Sequence, residues 1–160
     1  IELGLQTIHY KTLHAIRSGF TFSQFEQAVS DLHKRNIPVI THLILGLPGE
    51  TKEDMLSSVR YVGSLPVTGI KLQLLHILKG TDLGTAYMAD PFPLFTLEEY
   101  CDLIADCIAL LPPEIVIHRL TGDGPRNLLL APLWSTDKKR VLNTIQKYLR
   151  ERDLWQGKNI

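Results

Sequence analysis

Residues 40–51 of the 160-residue chain read ITHLILGLPGET, an apolar run that ends in two glycines bracketing Leu47-Pro48. Glycine at a strand exit lets backbone approach a ligand closely, and proline fixes one φ at about −65°. Gly46 to Gly49 therefore reads either as a ligand-facing loop or as a tight strand-to-helix turn. It is not a Walker loop, because no Lys-Ser/Thr follows the second glycine. A helix opening at Thr51 would offer free N–H groups to an anion or a carboxylate.

His42, His76 and His118 each stand toward the carboxyl end of an apolar stretch. A histidine so placed is either a satisfied core residue or a ligand. Zinc held through His42 and His76 is the weaker reading, since no Cys or acid stands at ligand spacing. Gln6 closes a buried strand with a polar side chain that needs an internal or a bound partner. The stretch IHRLTGDGPR (117–126) sets Asp123 between two glycines, with Arg119 and Arg126 nearby. It reads as a grip on a polar ligand or as a salt-bridged turn. Cys101 and Cys107 match no metal spacing and no disulfide framework, and are structural.

Placing these residues is the task of the surrounding elements. The pattern predicts strands over 1–7, 39–45, 69–78 and 115–120. Between them it predicts helices over 11–17, 20–35 (Phe22, Phe25, Val29 and Leu32 inward) and 51–64, the last opened by the capping box Thr51-Lys-Glu-Asp54. Thr96-Leu-Glu-Glu99 opens another, whose stripe is Leu97, Cys101, Ile104, Ile108 and Leu111, and Pro112-Pro113 ends it. A final helix over 136–152 turns Val141, Ile145, Tyr148 and Leu149 inward. Alternating strands and helices point to βαβ units, an α/β fold with a parallel sheet of about four strands and helices outside it. The run 39–45 is apolar enough for a strand covered on both faces. Ligands in such folds meet the carboxyl ends of the strands. The Pro/Gly-rich loop over 79–95 is long enough to be functional.

Seventeen basic and seventeen acidic residues cancel, so nothing global points to nucleic acid or an anionic membrane. Charge is uneven, however. Residues 134–160 hold seven Lys/Arg and three Asp/Glu, so the final helix is basic, either as a solvated face or as a weak nucleic-acid contact. No apolar stretch reaches the roughly 18 residues of a membrane span, and the cysteine usage suits a cytoplasmic compartment.

IELGLQT (1–7), LILGLPGET (43–51), GIKLQLLHILKGT (69–81) and IHRLTGDGPR (117–126), in that order, resemble the radical S-adenosylmethionine (radical SAM) superfamily. The branch resembled is the one allied to Elongator-subunit-3-like and coproporphyrinogen-dehydrogenase-like enzymes, and within it a group of uncharacterised bacterial Fe–S oxidoreductases. The resemblance spans essentially the whole chain and implies the C-terminal part of a partial (β/α)6 barrel. It also implies a [4Fe–4S] cluster on a CxxxCxxC loop and reductive cleavage of S-adenosylmethionine (SAM) to a 5′-deoxyadenosyl radical. No CxxxCxxC occurs in this sequence, so no metal ligand is assigned. The expectation is a single-domain fragment over 1–160, starting at the fourth barrel strand and inactive alone.

By the resemblance, Gln6 lies by SAM, Arg17 near its carboxylate, and His42 where relatives contact its ribose with an Asp. Gly46 carries the turn against SAM, and His76 and Leu78 line the adenine side. Lys71, His118, Arg119 and Arg126 are expected to face substrate from their position. The implied partners are tRNA or a small molecule and a reductant such as flavodoxin or ferredoxin, without membrane. A homodimer is expected through the exposed edge of the first strand. Two readings compete with the enzyme: a non-catalytic ligand- or RNA-binding α/β domain, and a barrel hydrolase with a histidine metal site.

Overall fold

The computed structural model describes residues 1–122 and 124–160. The elements run β1 (Glu2–Gln6), α1 (Tyr10–Ala15), α2 (Phe22–Lys34), β2 (Ile40–Leu45), α3 (Lys52–Gly63), β3 (Gly69–Leu74), β4 (Ile77–Leu78), α4 (Asp82–Ala89), α5 (Leu97–Ala109), β5 (Val116–Arg119), β6 (Leu129–Ala131) and α6 (Lys138–Glu151), with a 3-10 turn at Leu133–Thr136 before α6. Strands β1, β2, β3 and β5 form one parallel sheet in that order, the α/β architecture that the alternation predicts.

Capping fixes where the helices begin. Thr21 with Gln24, Thr51 with Asp54 and Thr96 with Glu99 each complete a reciprocal capping box, which satisfies donors the first turn would leave orphaned. Asp137 caps α6, so that helix starts two residues later than predicted, after the 3-10 turn.

Packing divides the sheet into two unlike faces. Leu5, Leu43, Leu45, Ile70, Leu72 and Leu74 are buried in one core with Phe25 and Val29 of α2, Met55 and Val59 of α3, Ile104 of α5, and Val141 and Ile145 of α6. On β2 the alternate positions Ile40, His42 and Ile44 are only half-buried, so the strand is fully covered on one face rather than on both. The same alternation leaves Lys71 and Gln73 half-buried on β3, and it places Glu2, Gly4 and Gln6 together on β1.

Two elements differ from the sequence reading. The third strand does not run to Leu78. It leaves the sheet after Leu74, and Ile77–Leu78 pairs antiparallel with β6 as a separate ribbon. The apolar run hid this turn, because both halves are equally hydrophobic. The long loop after Lys79 contains α4, whose start is capped by Thr81. A mid-helix glycine masks it in sequence, yet Gly84 is needed there. A Cβ at that position would lie 2.0 Å from the Leu78 carbonyl oxygen, so glycine lets α4 sit directly on β4.

Candidate functional site

The half-open sheet face carries a continuous set of polar contacts. Register puts Gly4 opposite His42, His42 opposite Lys71, and Lys71 opposite Arg119, one row across all four strands. Lys71 Nζ donates to Glu2 Oε1 at 2.5 Å. The Arg119 guanidinium reaches Gln73 Oε1 at 3.5 Å, and the Gln73 amide nitrogen meets His42 Nδ1 at 3.2 Å. With the amide oriented by Arg119, Gln73 donates and Nδ1 accepts, so the His42 proton sits on Nε2. That nitrogen is 3.0 Å from Glu2 Oε2 but makes no aligned hydrogen bond among the described residues, so the contact is electrostatic.

Burial lowers the pKa of His42, and Lys71 lowers it further against the opposing pull of Glu2. The imidazole is therefore neutral at pH 7. The Lys71 hydrogen bond is the main reason that Glu2 itself stays below the usual carboxylate range.

At the carboxyl ends of the strands, Gly46 has φ +91° and Gly49 φ +86°. Leu47 to Glu50 closes with Glu50 N–H donating to Leu47 O at 3.2 Å, with Pro48 second and left-handed Gly49 third, which defines a type II turn. Gly46 donates its N–H to Met55 Sδ at 3.1 Å, and any Cβ there would press on the Phe95 ring at 3.2 Å. The α3 N-terminus is not an anion site as expected. Thr51 and Asp54 cap it internally, and its first turn carries Glu53 and Asp54, which repel an anion.

Beside this turn lies a cleft of about 660 Å³ walled by Ile16, Ile44, Leu47, Pro48, Leu75 and Leu83. Arg17 and Asp82 pair across its rim at 2.5 Å. A smaller cleft runs from Ile44 and Gln73 to His76, Gly122 and Gly124. The Gly124 N–H donates to His76 Nδ1 at 3.1 Å, and Cβ atoms at Gly122 and Gly124 would lie 2.4 and 2.7 Å from the ring. The two glycines are therefore the walls of a histidine slot. Asp123, read as a possible grip on a ligand, lies outside the described residues.

The structure thus gathers His42, Lys71 and Arg119 on one face, with Gln6 at the end of β1, and puts Arg17 at the rim of the larger cleft and Gly46 in the adjoining turn, against Phe95. Others lie off that row. His118 is exposed and lies over Gly69, two residues before Lys71, on the same face but toward the amino end of β3. Arg126 is exposed and donates to Thr136 O at 2.9 Å, which ties it to the 3-10 turn. Leu78 belongs to the β4–β6 ribbon. Among the described residues no three of His, Cys, Asp or Glu come together as a metal site, and His42 and His76 are engaged with different partners. Sequence reasoning missed Glu2, Gly4 and Gln73. The signal was the period-2 spacing of Glu2-Gly4-Gln6 and Lys71-Gln73, which puts them on the same face as His42.

The radical SAM superfamily profile matches residues 1–62, and the radical SAM C-terminal domain profile matches residues 67–151. The chain belongs to the radical SAM superfamily. It is 40% identical over 158 residues to the uncharacterized protein YtqA of Bacillus subtilis, covering 99% of this chain and 49% of that one. Protein YhcC of Escherichia coli is 38% identical over 151 residues, 94% of this chain and 49% of its own. A tRNA uridine(34) acetyltransferase of Dehalococcoides mccartyi is 29% identical over 136 residues, 83% of this chain and 30% of its own. The chain spans about half the length of the first two relatives. The structure of archaeal Methanocaldococcus infernus Elp3 superposes with a TM-score of 0.83 at 19% identity, over 97% of this chain and 36% of that one. That likeness shows the fold.

Proposed function

We propose that this radical SAM chain is the C-terminal, SAM- and substrate-facing part of a partial (β/α)6 barrel in a radical SAM oxidoreductase. The observation that carries the reading is the half-open sheet face, where His42, Gln73 and Arg119 are joined mid-sheet and which leads through Ile44 to an apolar cleft at the strand ends. These residues suit SAM. A neutral imidazole at His42 and the Gln6 amide can bond hydroxyls or ring nitrogens, Ile44, Leu47 and Leu75 suit a flat apolar surface, and Arg17 suits a carboxylate. When bound, SAM would supply radical chemistry, with the electron for its reductive cleavage coming from the cluster of the full-length parent. Within the chain, Gly46 and the type II turn would let backbone lie close to that ligand, and the apolar cleft walls would exclude water from it.

The [4Fe–4S] cluster does not fit the described residues of this chain. Both cysteines are buried, and burial pushes the Cys101 thiol up to about 11 and Cys107 higher still, away from the thiolate a cluster needs. Cluster ligands therefore belong to sequence outside these residues, and the chain alone is inactive in this reading.

The substrate we propose is tRNA, consistent with relatives named for tRNA uridine(34) and with Lys139, Arg140 and Lys147 along one side of α6. A substrate anion reaching Lys71 would have to displace Glu2. Flavodoxin or ferredoxin would serve as reductant, in the cytoplasm. No described helix is long and apolar enough to cross a membrane. The test is anaerobic cluster reconstitution of the full-length parent, then dithionite and SAM. Formation of 5′-deoxyadenosine is the expected result, and intact SAM with no bound cluster would overturn the reading.

A further inference from the structure

Four non-glycine residues have left-handed backbone among those described: Gln6, Arg17, Asn36 and Asp153. Three of them immediately follow a helix C-cap, at the end of α1, α2 and α6, where such a conformation closes the last turn. Ser18, Ile37 and Leu154 donate back to Leu13, Leu32 and Leu149 in the expected pattern. Gln6, with φ +69°, has no helix to cap. A left-handed residue that caps no helix is a ground for a functional hypothesis.

Local geometry shows what the strain accomplishes. Pairing between β1 and β2 slips there, with Gly4 opposite His42 and Gln6 already opposite Leu43, so Leu5 is the extra residue of a β-bulge. Gln6 turns its amide back along its own strand. A Cβ on Gly4 would lie 2.3 Å from Gln6 Nε2. On the far side Thr7 is fully buried, and its hydroxyl donates at 2.6 Å to Oε1 of Glu50, the last residue of the type II turn. Thr7 thus anchors the chain just beyond the bulge, while among the described residues the Gln6 amide makes no hydrogen bond.

We infer that the bulge is a positioning device for a ligand: Glu50 and Thr7 hold Gln6 left-handed, and Gly4 is glycine because the Gln6 amide must lie over it, in the row of His42. The inference rests on the SAM reading above and adds Gly4, Thr7 and Glu50 to it as positioning residues. Gly4→Ala is the informative change. The atom it meets is the free end of a flexible side chain, so the methyl displaces the amide without disturbing the backbone.

The experiment measures SAM affinity by calorimetry on the cluster-loaded full-length parent, its Gly4→Ala and Gln6→Ala variants, and the double variant, with a melting curve for each. Each single change is expected to weaken SAM about tenfold, the loss of one ligand hydrogen bond. The double variant is expected to be no weaker than either single one, with melting unchanged in Gly4→Ala, because both changes remove the same contact. Additive losses, or full affinity in either single variant, would overturn the positioning role while leaving the SAM reading intact. A parent that binds no SAM would overturn both, and that arm alone separates the two failures.

Discussion

Gln73 meets His42 Nδ1 at 3.2 Å, and this one contact decides which imidazole nitrogen carries the proton. The consequence reaches across the sheet. Arg119 orients the Gln73 amide, the amide fixes the tautomer, and the tautomer points an N–H toward the carboxylate that also holds Lys71. A polar face built this way has a direction, and the charge state of its histidine is set chiefly by burial.

His42 should accordingly titrate below the ordinary histidine value of 6.5 in an NMR titration. The folded state then binds fewer protons than the unfolded one just below that value. Its contribution to stability is complete above pH 6.5 and is lost as the pH falls through the folded pKa. Lys71→Met should raise the His42 pKa by removing a cation, and Glu2→Gln should lower it by removing an anion. Shifts of the same sign in both variants would contradict the arrangement.

The two turn glycines should differ in cost. Gly49→Ala meets open space and suffers only its φ of +86°, so roughly 1 kcal/mol is expected. Gly46→Ala adds contact with the Phe95 ring to a φ of +91°, and about 2–3 kcal/mol is expected. Urea unfolding resolves the difference, and equal losses would mean that Phe95 moves freely aside.

Much of this arrangement was legible in the sequence, for physical reasons that particular residues illustrate. Strands and helices betray themselves through the spacing of buried apolar groups, and the capping boxes at Thr51 and Thr96 are local chemistry. His42 and Lys71 were visible as polar residues interrupting apolar strands. Their common row was not, because register depends on partners 29 residues apart in sequence, as His42 and Lys71 are. The bulge at Gln6 and the histidine slot at His76 are tertiary facts of the same kind. The turn after Leu74 was invisible for another reason, since strand and ribbon are both apolar and hydrophobicity alone does not mark a change of sheet.

Gly84→Ala should loosen α4. A methyl cannot fit 2.0 Å from the Leu78 carbonyl oxygen, and the helix buries no other residue fully. Hydrogen exchange over residues 82–89 should accelerate while exchange in β2 and β3 stays unchanged. The 660 Å³ cleft borders the same helix through Leu83 and Ala86, so it should open as well. Global destabilisation, with exchange rising equally in the sheet, would show that α4 is integral to the core rather than a cover over the cleft.

The first strand is an outer strand of the four-stranded sheet, so one row of its N–H and C=O groups has no sheet partner among the described residues. Edges of this kind recruit another strand. For the 160-residue chain alone, the expected outcome is therefore concentration-dependent dimerisation through Glu2–Gln6, read by light scattering. The bulge before Gln6 limits regular pairing to the first few residues, so the association should be weak. Glu2→Pro tests the location directly. Ile40 N–H donates to Ile1 O and Glu2 stands opposite Ile40, so the Leu3 N–H faces β2 while the Glu2 N–H faces outward. Proline at Glu2 removes that outward donor and is expected to abolish dimerisation without unfolding the sheet. A clean monomer at high concentration, or a dimer that survives Glu2→Pro in a folded chain, would place the contact elsewhere or remove it.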